Sequence, residues 1–183
     1  MIVPMTAEHL EQVAALHTRH VKSLLADLGP RLCRAFYATA LRSPNCLGFV
    51  DVEGGHVRGF ALGALDNSRL FTDWRLRLKL LRALVGKPAL ITRILFHLKG
   101  DLAPAPEILY EAVDPSFRRQ GIATALTLAL VEGFRARGVA HYEIRVDKTN
   151  QANLARHCKL GARIVREFDE DGIARYLLDN NII

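Results

Sequence analysis

The chain of 183 residues has few cysteines, one tryptophan and no long apolar run. Its three cysteines, Cys33, Cys46 and Cys158, are widely spaced and form no CxxC or CxxH pattern, which argues against a disulfide framework or a zinc site. No apolar run approaches the roughly 18 residues of a membrane span, and the N-terminal residues lack the pattern of a signal peptide. The sequence therefore predicts a protein of a reducing, cytoplasmic compartment.

The basic residues are concentrated in one part of the chain, although the formal net charge is only +6. Between Arg69 and Lys99, eight lysines or arginines stand against one acid, Asp73. The rest of the chain has 17 basic and 18 acidic residues. Because 50% of the residues are hydrophobic and 24% are charged, we expect one folded domain over residues 1–183 with a basic segment at about 69–104.

Hydrophobic spacing and turn residues predict strands alternating with helices. The expected strands cover residues 2–5, 47–51, 57–65, 108–113, 141–146, 164–168 and 174–178. Helices are expected after Thr6, from Pro30, from Gly121 to about Arg137, and from Asn150 to Gly161. The basic segment has helical spacing interrupted by Gly86-Lys87-Pro88, which predicts two short amphipathic helices. This order is typical of one mixed α/β domain.

The stretch 113–123 carries the clearest chemical signal. A strand ends at Val113, a basic loop follows, and Gly121 opens an apolar helix. The first amides of a helix lack internal acceptors and the helix dipole is positive there, so the loop suits an anion such as pyrophosphate. It is neither a Walker A loop nor a dinucleotide-binding GxGxxG motif. A capped helix preceded by solvated arginines is the alternative.

The residues of this loop carry a family resemblance. Arg118-x-x-Gly121-x-Ala123 is similar to the [QR]-x-x-G-x-[GA] motif of the GNAT superfamily of N-acetyltransferases. A second segment with Val146, Asn150, Leu160 and Gly161 is similar to the V-x-x-x-N…L-G segment of that family. The resemblance is close over 106–178, loose over 2–68, and hardly includes the basic segment. It implies a mostly antiparallel sheet of about seven strands, flanked by helices. The two helices predicted from the spacing of the basic segment would then be an insertion between strands 3 and 4.

The resemblance also implies a reaction and its co-substrate. An acetyl group would pass from acetyl-CoA directly to the primary amine of a small molecule, without a metal. No nucleic acid partner is expected, and the protein would be a monomer or a homodimer. By position in the family motifs, the residues expected to bind the cofactor are Ala112, Val113, Arg118, Arg119, Gln120, Gly121, Ile122, Ala123 and Asn150.

Two residues are candidates for proton transfer. Glu111 lies where many family members have a glutamate facing the acceptor pocket, and it would act as the base for the amine. Alternatively, Glu111 binds a cationic acceptor or pairs with an arginine. His157 occupies the position of the tyrosine that protonates the leaving thiolate in many relatives; it could donate that proton, or water could do so. Asn153 replaces the usual alanine of the family.

Other functions remain open from the sequence. The chain could be a non-catalytic module that binds acyl-CoA, or an acyltransferase that works at a membrane surface through its basic segment. That segment could equally form a lid, dock an acidic partner, or simply pack on the sheet. His17 and His20 are three residues apart, but no further metal ligands accompany them. His20 and Asp66 are further residues to test in the acceptor pocket.

Overall fold

The computed structural model describes residues 1–70, 74–84, 104–170 and 172–182. Its strands are β1 (Ile2–Pro4), β2 (Cys46–Glu53), β3 (His56–Ala64), β4 (Glu107–Val113), β5 (His141–Asp147), β6 (Arg163–Glu170) and β7 (Ile173–Asn181). The helices are α1 (Leu10–His20), α2 (Leu24–Asp27), α3 (Pro30–Ala40), α4 (Trp74–Leu84), α5 (Ile122–Arg135) and α6 (Gln151–Lys159).

All seven strands join one sheet in the order β1-β2-β3-β4-β5-β7-β6. Every neighbouring pair is antiparallel except β4 and β5, which run parallel. Helix α5 provides the crossover that a parallel pair requires. The predicted α/β fold with a mostly antiparallel sheet of seven strands is therefore confirmed.

Glycine and proline set the boundaries of several elements. Gly54 and Gly55 have φ angles of 56° and 78°, the left-handed backbone that a tight hairpin between β2 and β3 needs. Pro30 occupies the first position of α3, where its missing N–H costs no hydrogen bond. These boundaries agree with the expected ones because each depends on local backbone chemistry.

The sheet separates two hydrophobic cores. Helices α1 and α3 cover one face, where Val13, Phe36 and Phe60 are buried. Helix α5 covers the other face with Leu126 and Phe134. This arrangement places the N-terminal end of α5 beside the C-terminal end of β4.

The structure differs from the expected elements in small ways. The short helix α2 was not predicted; it begins where the Ser23 hydroxyl accepts a hydrogen bond from the Ala26 amide. Of the two helices expected in the basic segment, α4 covers the first. The second falls on residues 85–103, outside the described residues, so the helical insertion stays a prediction. Among the described helices, none has the length and hydropathy needed to cross a membrane.

Candidate active site

An opening in the sheet lies between β4 and β5. The two strands pair at only two positions in the described sheet, Glu107 with Glu143 and Ile108 with Ile144. Beyond these pairs, β4 continues to Val113 along β3, and β5 continues to Asp147 along β7. Among the described residues, the backbone groups of β4 that face β5 here have no strand partner, so an extended ligand can hydrogen-bond to them as an added strand does.

A β-bulge in β4 marks the start of this opening. Leu62 of β3 lies opposite Tyr110, whereas the next residue, Gly63, lies opposite Ile108. Leu109 is therefore an extra residue, and such a bulge bends a strand and increases its twist. The bulge follows directly after the last pair between β4 and β5, so it contributes to their separation.

The loop that leads into α5 contains two residues with left-handed backbone conformations. Arg119 and Gly121 have φ angles of 62° and 77°, and α5 begins at Ile122. The space around the position of a Gly121 Cβ is empty to 4 Å, so a ligand can approach this backbone closely. Arg118 and Arg119 are exposed on the same loop. Free helix amides, open space and two positive charges together fit a pyrophosphate group.

On the side of the sheet that α5 covers, Glu111 is the centre of a polar cluster. Its Oε1 accepts a hydrogen bond of 2.6 Å from the Thr127 hydroxyl of α5. Its Oε2 accepts one of 2.6 Å from Arg156 Nη2 of α6 and lies 3.2 Å from His157 Nε2. Both carboxylate oxygens are thus engaged, and the cluster joins β4, α5 and α6 beside the opening.

The partners of Glu111 determine its acidity. Burial raises the pKa of the carboxyl, but the His157 hydrogen bond and the Arg156 charge outweigh burial and lower the pKa to about 2. Such a carboxyl is ionised at neutral pH and holds a proton weakly. Of the roles expected for Glu111, the pairing with an arginine is the contact present in this structure.

Arg156 connects the elements around the opening. It donates to the Ala123 carbonyl at 3.2 Å, to the Thr127 hydroxyl, and to Asn153 Oδ1 at 2.6 Å, in addition to Glu111. Sequence reasoning singled out neither Arg156 nor Thr127. One signal was available: Asn153 and Arg156 are three residues apart, a spacing that places two side chains on one face of a helix. Asn153, the departure from the family pattern, thus has a partner.

A second buried carboxylate lies on the opposite side of the sheet. Glu107, adjacent to Ile108 and only 3% exposed, accepts hydrogen bonds from Arg145 at 2.8 Å and from Asn67 at 2.9 Å. Arg145 also pairs with Glu170 at 2.6 Å. Burial raises the pKa of Glu107 in spite of the Arg145 charge. Sequence reasoning missed this residue because its partner Arg145 is distant in the sequence.

The remaining predicted residues fall in separate places. The Asn150 side chain caps α6 by accepting a hydrogen bond from the Asn153 amide. Asp66 is engaged with Ser68 and Arg69. His17 is buried and contacts Tyr37 and Ser23 at 2.7 and 2.8 Å. Within the described part of the chain, no three or more His, Cys, Asp or Glu side chains are grouped to hold a metal.

Comparisons with known structures show where this fold occurs. The N-acetyltransferase from Staphylococcus aureus Mu50 is 19% identical, with a TM-score of 0.69 over 100% of this chain and 98% of that one. The ribosomal-protein-alanine N-acetyltransferase from Brucella melitensis is 15% identical, with a TM-score of 0.68 over 99% of both chains. Arabidopsis thaliana NAA60 in complex with acetyl-CoA is 16% identical, with a TM-score of 0.65 over 100% of this chain and 98% of that one.

At these identities, the structural similarity establishes the fold alone. No curated protein matches the sequence significantly. The family model described as Acetyltransferase (GNAT) family, however, matches residues 13–162, which include the loop before α5, the opening beside β4 and the polar cluster. The chain therefore belongs to the GNAT acetyltransferase family.

Proposed function

We propose that this protein transfers an acetyl group from acetyl-CoA to the primary amine of a small molecule. The observation that carries the proposal is the opening between β4 and β5, with the loop before α5 at its end. The opening provides a backbone edge for the pantetheine arm, and the loop provides amides and arginines for the pyrophosphate. The residues proposed to hold the cofactor are Ala112, Val113, Arg118, Arg119, Gln120, Gly121, Ile122, Ala123 and Asn150.

Acetyl-CoA supplies a thioester whose carbonyl carbon accepts an amine. The protein has to position the unprotonated amine at this carbon. It also has to accept the proton that the amine loses and to supply a proton to the leaving sulfur. Glu111 and His157 are the side chains that we propose for proton transfer beside the opening. Glu107 is a further candidate for the base, because burial raises its pKa and a raised pKa strengthens a carboxylate as a proton acceptor.

Calorimetric titration with acetyl-CoA tests the cofactor site. Gly121→Glu would place a carboxylate where the phosphate is proposed to bind, and we expect it to abolish binding that the wild-type protein shows. Gly138→Glu is the matched control, because Gly138 also has a left-handed φ, 74°, and open space around it. Equal affinity of the wild-type protein and the Gly121→Glu variant would contradict the proposed position of the cofactor.

Release of CoA in the presence of amines tests the reaction itself. Turnover with small amines such as polyamines, amino sugars or amino acid amides would support the proposed enzyme. Tight binding of acetyl-CoA without release by any amine would instead favour the non-catalytic acyl-CoA-binding module. We keep the cytoplasmic location as part of the proposal, since Cys33, Cys46 and Cys158 are all free thiols.

Contact with an anionic membrane is a second candidate, favoured by α4. Leu78 and Leu81 are 43% and 62% exposed, and Lys79 and Arg82 are exposed beside them. Apolar side chains flanked by cations are typical of helices that lie on anionic lipid. We expect co-sedimentation with vesicles containing phosphatidylglycerol that weakens as salt is added and in a Leu78→Ser, Leu81→Ser variant. Equal binding to neutral vesicles would contradict this role.

A further inference from the structure

Strand β6 forms one edge of the sheet and is largely exposed. Among the described residues, β7 is the only strand that pairs with it. All residues of β6 are exposed except Phe168 and Glu170, which are partly buried. Ile164 and Val165 are adjacent and large, yet they are 48% and 60% exposed. The outer side of β6 therefore offers both backbone hydrogen-bonding groups and apolar side chains to another chain.

The opposite edge of the sheet is protected against pairing, whereas β6 is not protected in the same way. Strand β1 has only three residues, and the last of them is Pro4. Short edge strands and proline both discourage pairing with another chain. Strand β6 has eight residues and no proline. Its register with β7 shifts only between Ile164 and Arg166, so the stretch 166–170 is a regular strand.

The charges of β6 change sign halfway along the strand. Its first half, 163–166, has two arginines and no acid, and its second half, 167–170, has three acids and no base. Charges of one sign along an edge repel an identical strand. Here, a second copy in antiparallel orientation brings the basic half of each strand opposite the acidic half of the other. A parallel copy in register would bring like charges together, which destabilises strand pairing.

Most of these charges are accessible to a second copy. Arg163 and Arg166 are both exposed in the basic half. In the acidic half, Asp169 is exposed, and Glu167 is 59% exposed even though it pairs with Lys148, so its carboxylate can accept a second cation. These four residues carry the accessible charges, because the remaining acid of the strand is held by two arginines of β5 and β7.

We propose that two copies of this protein pair along β6, antiparallel to each other about a two-fold axis near the middle of the strand. The interface is isologous, because each copy contributes the same strand. Backbone hydrogen bonds between the two β6 strands join the two sheets into one continuous sheet. The exposed side chains of Ile164 and Val165 lose contact with water there. A single strand is a small interface, so the dimer dissociates on dilution.

Analytical ultracentrifugation of the full chain over a range of concentrations tests the pairing. We expect a reversible equilibrium between monomer and dimer that weakens as salt is added. Arg163→Glu with Arg166→Glu makes both halves of β6 acidic, and we expect it to raise the dissociation constant of the dimer more than about tenfold. Arg31→Glu with Arg34→Glu, at exposed positions of α3, is the control with the same change of net charge. A wild-type protein that stays monomeric at its highest soluble concentration would overturn the proposal.

A second variant separates loss of pairing from loss of folding. Glu167→Lys with Asp169→Asn makes the edge of β6 basic, and the asparagine can still accept the hydrogen bond that the Gly172 amide donates in the turn. This variant should also dimerise less than the wild-type protein. Mixing it with the Arg163→Glu, Arg166→Glu variant should restore association as a heterodimer, because the two edges then carry opposite charges. Two folded variants that do not associate when mixed would contradict the pairing along β6.

Amide hydrogen exchange locates the contact surface. We expect amides of the stretch 163–170 to exchange more slowly at high protein concentration than at low concentration, because pairing protects them. The amides of β1, at the opposite edge, should exchange at the same rate at both concentrations. Slower exchange confined to another surface, such as α4 with its exposed Leu78 and Leu81, would show that the copies associate elsewhere and that the proposal is wrong.

Discussion

Glu111 of β4 and Arg156 of α6 form an ion pair of 2.6 Å beside the opening of the sheet. The two side chains are only 11% and 16% exposed, so neither charge is well solvated when its partner is removed. Loss of one member of a buried pair leaves an uncompensated charge, whereas loss of both often costs much less. We therefore expect the pair to stabilise the contact between α6 and β4 when both residues are present, and to destabilise it when only one of them is replaced.

A double-mutant cycle of urea unfolding tests this coupling. We expect Arg156→Met to lower the free energy of unfolding by about 3 kcal/mol, and Glu111→Gln with Arg156→Met together to cost less than the sum of the single changes. The exposed pair Glu132 and Arg135 provides the control, because Arg135→Met should cost below about 1 kcal/mol. Strict additivity of the two changes in the cluster would contradict the coupling.

The main elements of the fold follow from local patterns. Gly54 and Gly55 predict the hairpin, Pro30 the beginning of α3, and the apolar spacing after Gly121 the helix α5. Each of these depends on residues close together in sequence, so a single sequence contains the information. Helix α2 has four residues and one cap, which gives too short a pattern to recognise.

The polar cluster could be predicted only in part. Glu111 and His157 match positions of the family motifs, and the sequence leaves open an arginine partner for Glu111. Which arginine it is depends on how α6 packs against β4, across 45 residues of sequence. The pair Glu107 and Arg145 was missed for the same reason, since its 38-residue separation becomes a contact only when β4 and β5 meet in the sheet.

Buried His17 predicts a loss of stability in mild acid. Burial lowers the pKa of its imidazole from 6.5 to about 4, so the folded state keeps it neutral while the unfolded chain binds a proton. Stability should fall as the pH decreases from about 6.5 to about 4, by about 3 kcal/mol in total from this residue. Urea unfolding at several pH values measures the slope.

The His17→Gln variant isolates this contribution. It should be less stable than the wild-type protein at pH 7, because the contacts with Tyr37 and Ser23 change, but its stability should depend less on pH between 6.5 and 4. His141→Gln, at an exposed position, should retain the wild-type slope. A His17→Gln slope equal to that of the wild-type protein would show that the folded protein and the unfolded chain protonate His17 equally readily.

Gly63 is required by the packing of α5 on β3. A Cβ at this position would lie 2.6 Å from Cζ of Phe134, whose ring is fully buried. We expect Gly63→Ala to lower the free energy of unfolding by about 1–3 kcal/mol through overpacking. Phe134→Leu removes the clashing atom, so the double variant should cost less than the sum of the two changes. If the double variant costs as much as the sum of the two single changes, the effect of Gly63→Ala arises from the backbone and not from contact with Phe134.

Substitution of Glu107 is expected to lower the reaction rate by a factor that decreases as the pH rises. If Glu107 accepts the proton of the bound ammonium group, Glu107→Gln should lower kcat/KM by about 10²-fold near pH 7. The free-amine fraction of an alkylamine substrate rises about tenfold per pH unit below a pKa of about 10. The loss should therefore shrink as the pH is raised, because more of the amine arrives without its proton.

The measurement is the ratio of wild-type to variant kcat/KM between pH 7 and 9. Glu167→Gln is the control, since Glu167 is 59% exposed and pairs with Lys148 on the surface. A ratio that stays constant with pH would indicate that Glu107 supports the strand pairing through Arg145 and does not receive the proton. A ratio near one at every pH would exclude both roles, because the amide introduced by Glu107→Gln could neither accept that proton nor balance the charge of Arg145.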